Sequence, residues 1–155
     1  MPNTDTLAKE FLSQKRIAVA GVSRTGASAA NGIYDKLKAT GHTVFAVNPK
    51  ATKIGADPCY PTLSAIPGGV DGVVIVTTPE VSEQIVQQAI DAHVPRVWMH
   101  RSLDSGSVSQ AAVDLGQQHG LTVIAGGCPM MYQAPVDFGH VCIKWYARAT
   151  HKMPA

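Results

Sequence analysis

The sequence predicts a doubly wound α/β fold, a parallel sheet with helices on both faces, and three observations predict it. Short apolar runs alternate with amphipathic stretches along the chain. The runs are apolar on both faces, as strands buried on both sides of a sheet must be. Gly, Pro and Asn punctuate the changes between the two patterns, where turns and helix ends need them.

Taken in order, residues 3–14 predict a short amphipathic helix, with Thr4 or Asp5 as its cap and Leu7, Ala8, Phe11 and Leu12 on one face. The run from Arg16 to Gly21 predicts the first strand. Residues 29–40 predict a helix facing the core with Ala30, Ile33, Tyr34 and Leu37, and Gly41 ends it. Thr43–Val47 predicts the second strand, cut by Asn48-Pro49. Residues 51–69 are rich in Pro and Gly and predict a surface connection, with room for a very short outer strand at Cys59-Tyr60. Residues 71–77 predict the third strand. Thr78-Pro79-Glu80 opens a helix with Pro and an acid in its first turn, facing the core with Val81, Ile85, Val86, Ala89 and Ile90. Residues 96–100 predict the fourth strand. Ser107-Val-Ser-Gln110 has the form of a capping box for a helix with Val108, Ala111, Ala112 and Leu115 inward and Gly120 as its stop. Residues 121–125 predict the fifth strand. An irregular tail follows, with one more element over residues 141–148.

Alternation at this spacing implies right-handed crossovers and a parallel sheet. The expected order is 2-1-3-4-5, with the short sixth strand outside the second. This is a Rossmann-like doubly wound sheet of five to six strands with flanking helices, one domain over residues 1–155.

Composition narrows the function. Hydrophobic residues are 45% of the chain, charged ones 15%, and the formal net charge is +2, so no clustered basic face argues for nucleic acid. Lys15-Arg16 reads as a solvated connection. Three cysteines, Cys59, Cys128 and Cys142, form no disulfide framework. No signal peptide and no membrane-spanning run is visible, so a cytoplasmic protein with free thiols is expected. The C-x-x-C and H-x₃-H spacings of a zinc site are absent, and no metal is expected.

Ligands on such sheets bind beyond the carboxyl ends of the strands, where the order reverses. Here that crevice lies between Gly21-Val22-Ser23-Arg24 and Thr77-Thr78-Pro79, with the turn after Val47 as one wall. The loop Gly21-Val-Ser-Arg-Thr-Gly26 follows a strand and precedes a helix. Gly21 permits close approach, Ser23 can donate to a phosphate oxygen, Arg24 is a charge partner, and the helix N-terminus aims at the same place. A NAD site wants a carboxylate at the end of the second strand; this chain has Asn48-Pro49-Lys50. A lysine there suits a ribose phosphate, which favours coenzyme A or NADP. His100 and Arg101 also sit at a strand's carboxyl end. No nucleophile or carboxylate is visibly paired with His100, so ligand contact or structure is expected of it and no catalytic residue is assigned. Cys128 reads as a buried small hydrophobe.

The succession Val19-Ala-Gly-Val-Ser23, Val47-Asn-Pro-Lys50, Tyr60-Pro-Thr-Leu63, residues 71–79, Val97-Trp-Met99 and Gly126-Gly-Cys-Pro-Met130 resembles the small bacterial CoA-binding proteins. These are similar to the nucleotide-binding domain of the succinyl-CoA synthetase α subunit. The resemblance implies that Gly21, Ser23 and Arg24 hold the diphosphate, and that Val47, Pro49 and Lys50 contact the adenosine 3′-phosphate end. It implies that Thr77, Thr78 and Pro79 line the other side. Val22, Asn48, Met99 and His100 complete the candidate set. The family often continues its fourth strand as Gln-x-Gly, where this chain has His100-Arg101-Ser102. The synthetase's phosphohistidine domain has no counterpart in 155 residues, so ligase activity is not implied.

The expectation is a non-catalytic protein that binds CoA or acyl-CoA as carrier, sensor or regulatory module. An NADP-binding oxidoreductase and a redox-responsive interaction module are the rivals. An exposed segment at residues 141–148 would suit a homodimer contact.

Overall fold

A computed structural model describes residues 2–26, 28–102 and 106–150. The order is α1 (Thr4–Leu12), β1 (Arg16–Ala20), α2 (Ala29–Ala39), β2 (Thr43–Val47), β3 (Lys53–Ile54), β4 (Asp57–Tyr60), β5 (Gly72–Ile75), α3 (Pro79–Asp91), β6 (Arg96–Met99), α4 (Gln110–Gln118), β7 (Thr122–Ala125) and α5 (Phe138–Ala149). Short 3-10 turns occupy Leu63–Ala65 and Pro129–Met131.

The sheet runs β3-β4-β2-β1-β5-β6-β7, and every pairing is parallel except β3 with β4. The five strands expected from the sequence keep the order 2-1-3-4-5, and β4 lies outside β2 as expected, four residues long. The antiparallel β3 adds a seventh strand that the apolar pattern does not announce. Ile54 pairs with Asp57 across a two-residue turn whose first residue, Gly55, has φ +59°. Glycine at that position is what a tight hairpin turn demands.

Alternation along each strand sends successive side chains to opposite faces. Ile17, Val19, Val74, Trp98 and Ile124 pack under α1, α2 and the 129–131 turn, with Ile143 of α5 against them. Ala18, Val73, Ile75, Val97 and Met99 pack under α3, α4 and the 63–65 turn. Trp98 anchors the first layer. It is fully buried, stands edge-on to Phe11 at 5.4 Å between centroids, and donates Nε1–H to Gly126 O at 2.9 Å.

Several expectations are corrected. Asn3, not Thr4 or Asp5, caps α1, accepting from Thr6 N at 2.9 Å. Arg16 is not merely solvated: it donates to Gly69 O at 2.9 Å and Pro67 O at 2.6 Å and covers the Phe45 ring. Val81 is exposed and Ser82 takes the inward place on α3, where its hydroxyl donates to Thr78 O at 3.1 Å. Ser109, not Ser107, caps α4; Ala112, Val113 and Gly116 are buried, Val108 and Leu115 pack against the core as expected, and Ala111 is exposed. The tail element is longer than expected, and Asp137 caps it through His140 N at 3.0 Å.

Candidate functional site

The carboxyl ends of β1, β2 and β5 meet at the switch point, and the loops there are laced together. Gly21 ends β1 with φ +103°, a conformation that side-chain-bearing residues avoid. A Cβ on Gly21 would lie 2.1 Å from Val76 O, so the β1 and β5 backbones approach as closely as they do only without one. Gly21 N donates to Val47 O at 3.0 Å, which ties the first loop to the end of β2.

Two asparagines hold the rest. Asn48 Nδ2 donates to Val22 O at 2.9 Å, while its Oδ1 accepts from Lys50 N at 2.8 Å. One side chain therefore sets the Lys50 turn against the first loop. The buried Asn31 of α2 clamps Ser23 from below: its Oδ1 accepts from Ser23 N at 2.9 Å and its Nδ2 donates to Ser23 O at 2.9 Å. Ser28, the cap of α2, donates to the same Oδ1 at 2.6 Å. Sequence reasoning misses Asn31. Its one signal is an asparagine in the first turn of a helix, where the residue is a poor helix former and a good local hydrogen-bonder.

The candidate residues divide by exposure. Arg24, Pro49, Lys50 and Thr78 are exposed, and Ser23, Asn48, Thr77 and Pro79 are half-buried. Val22, Val47 and Met99 are buried in the core, so they can offer a ligand backbone alone. Ser23 Oγ lies 2.8 Å from Thr25 Oγ1, a bond within the loop. Thr78 occupies the cap position of α3 without a side-chain bond to the helix, and Pro79 stands in its first turn. Thr77 N donates to Ser107 Oγ at 2.8 Å, so Ser107 braces this wall of the crevice. His100 is buried, and its carbonyl accepts from Ser107 N at 2.7 Å.

Beside α2 lies a cavity of about 570 Å³. Ala29 and Gly32 of α2 form one wall, Cys128 and Met130 another, and His100 and His140 also line it. Burial pushes the Cys128 thiol up to about 11, and the nearby Asp137 charge adds to the shift. The thiol is thus protonated near neutrality, a soft apolar wall and not a nucleophile. His140 Nδ1 lies 2.6 Å from Asp137 Oδ2. Among the described residues no group of three His, Cys, Asp or Glu could hold a metal ion, and no helix is long and apolar enough to cross a membrane.

An ADP-forming acetate–CoA ligase of Archaeoglobus fulgidus is 27% identical over 120 residues, covering 74% of this chain and 18% of the ligase. The chain thus spans under a fifth of the length of the curated relatives it matches. A hypothetical protein from Pyrococcus horikoshii OT3 superposes with a TM-score of 0.78 at 27% identity, covering 85% of this chain and 91% of that one. The dinucleotide-forming acetyl-coenzyme A synthetase 1 of Ca. Korarchaeum cryptofilum shares the fold, with a TM-score of 0.62 at 24% identity over 71% of this chain and 25% of its own. The sequence profile of the CoA binding domain matches residues 15–134, and with most of its length inside that match the chain belongs to the CoA-binding domain family.

Proposed function

We propose that this protein is a non-catalytic CoA-binding module, a carrier, sensor or regulatory unit. It holds the ADP part of coenzyme A across the carboxyl ends of β1, β2 and β5. The observation that supports this best is the double use of Asn48, which ties the turn bearing Lys50 to the loop bearing Ser23 and Arg24. Two exposed cations on laced loops suit a ligand with separate phosphate groups, because charge-assisted bonds to phosphate are the strong ones. Gly21 lets the first loop start tight against the end of β5, and the N-terminus of α2 adds its partial positive charge. In this reading Ser23, Arg24 and that helix end take the diphosphate, and Lys50 takes the ribose 3′-phosphate. Unpaired thiols suit the reducing cytoplasm.

Calorimetric titration with CoA, dephospho-CoA, NAD and NADP tests the reading. A charge-assisted bond is worth about 1.5–3 kcal/mol. Dephospho-CoA should therefore bind roughly tenfold or more weakly than CoA. Lys50→Ala should weaken CoA to the dephospho-CoA level and leave dephospho-CoA itself unchanged. Binding of NADP without CoA would overturn the assignment and turn attention to a redox substrate.

A further inference from the structure

Helix α5 presents its more apolar side to solvent. Its inward side is Ile143 and Ala147, flanked by Lys144 and Arg148 in ion pairs with Asp5. Its outward side carries Phe138, Val141, Cys142, Trp145 and Ala149, the spacing of one helix face, with Tyr146 beside them. No charged residue interrupts that stripe. Among the described residues five large hydrophobic side chains are exposed, and four of them stand here: Phe138 at 82%, Trp145 at 72%, Val141 at 49% and Tyr146 at 47%. Clustering marks an interaction surface, where scattered exposure does not.

The stripe is complementary to itself. Aromatic side chains stand at both ends, Phe138 at one and Trp145 and Tyr146 at the other, with the smaller Val141 and Cys142 between. A two-fold axis between residues 141 and 142 runs two copies antiparallel and sets Phe138 of each against Trp145 of the other. Val141 and Cys142 then lie at the centre, where small side chains let helix axes approach to about 8–10 Å. Charge agrees with this direction. Asp137 at the N-terminus and Arg148 at the C-terminus fall on the same flank of the stripe, so an antiparallel pair brings them together across the axis and opposes the two helix dipoles.

The area is enough for a weak, specific contact. A buried aromatic side chain covers about 150–250 Å². The exposed parts of Phe138, Trp145 and Tyr146 therefore amount to about 400 Å². Val141, Cys142 and Ala149 bring one copy to about 500 Å² and two copies to about 1,000 Å², the size at which an interface exceeds ordinary crystal packing.

We infer that α5 is the contact of a homodimer, two copies packed antiparallel through Phe138, Val141, Cys142, Trp145 and Tyr146. An interface of that size forms at micromolar concentration.

Sedimentation equilibrium of the whole chain from about 1 to about 300 µM should show monomer and dimer, with a dissociation constant on the order of 10 µM. The interface is isologous, so each substitution acts twice. Trp145→Ala should weaken the dimer at least about thirtyfold. Trp145→Glu should leave a monomer throughout, and Phe138→Glu gives the same reading if that variant does not fold. Cys59 and Cys128 are buried and Cys142 is exposed, so crosslinking reads the axis. Diamide, which takes up the two thiol hydrogens as a disulfide forms, should join wild-type chains through Cys142. It should fail on Trp145→Glu, which keeps the thiol, while Cys142→Ser should lose the crosslink and still sediment as a dimer. The inference is overturned if the chain stays monomeric at the highest concentration, if the dimer survives both glutamate variants, or if a sedimenting dimer gives no crosslink. A chain that stays monomeric while its tryptophan emission shifts on vesicles of anionic lipid overturns it in favour of a membrane surface.

Discussion

Two glycines of the first loop separate strain from crowding. Gly21 has φ +103°, and a Cβ there would sit 2.1 Å from Val76 O. Gly26 has φ +78° with nothing within 4 Å of a Cβ. Gly26→Ala should therefore cost only the left-handed penalty, about 1–2 kcal/mol. Gly21→Ala adds a backbone collision that nothing flexible can relieve, and should cost about 2–4 kcal/mol. Urea unfolding of the two variants checks this, the expected result being a clearly lower midpoint for Gly21→Ala. Asn31→Ala should cost about 1–3 kcal/mol, because it leaves the Ser23 N–H and C=O without their partner. The contrast shows what a sequence can and cannot announce at this scale. Gly21 is legible because a strand followed by glycine and a helix has few other meanings. Asn31 is not, because its partner lies eight residues away across a loop whose course only tertiary packing decides. Asn48 is legible as the place where a carboxylate is missing, but its bridging of two loops is not.

Periodicity locates the helices, and it errs where a long-range bond takes over a local one. Ser107-x-x-Gln110 has the form of a cap, yet the Ser107 hydroxyl accepts from Thr77 N and the helix starts two residues later, capped by Ser109. The spacing of apolar residues puts Val81 inward on α3, where a hydrogen bond to Thr78 O lets Ser82 be buried instead. The final helix is the least legible, since its stripe of Phe138, Val141, Trp145 and Tyr146 is exposed, while Ile143, Ala147 and ion pairs to α1 hold it to the domain. Asp5 of α1 is paired with Lys144 and Arg148 of α5. Burial would raise the Asp5 carboxyl, but the hydrogen bond from Arg148 and the charges of Lys144 and Arg148 outweigh it and hold the pKa below its ordinary value. The unfolded value is about 3.9. A carboxyl with its folded pKa below that contributes stability that is present above about pH 4 and lost as the pH falls through the folded pKa. Between about pH 5 and pH 3 the urea midpoint should fall, and less steeply in Asp5→Asn than in wild type. Some slope should remain in the variant, since Asp57 and Asp137 are also held low, by hydrogen bonds from Lys38 and His140. Equal slopes in the two proteins would show that Asp5 does not anchor α5.

At the scale of the molecule, strand order is the most legible property, because right-handed crossovers and alternating elements leave few topologies open. From it comes the position of the crevice, before any side chain is placed. The cavity beside α2 is not foreseeable, since it is bounded by residues from four separate stretches between 29 and 140. The same topology makes the crevice a stabilising site. Its loops come from β1, β2 and β5, which form the centre of the sheet, so a ligand joining them binds only the folded chain. Binding at a hundred times the dissociation constant should stabilise the fold by about 2.7 kcal/mol. For a chain of this size that raises the melting temperature by roughly 5–10 °C. In a thermal melt, saturating CoA should give that rise in wild type. At the same ligand concentration, Lys50→Ala should lose a large part of the rise with CoA and none of the smaller rise with dephospho-CoA. A variant that lost both equally would place Lys50 in the general field of the crevice and not on the 3′-phosphate.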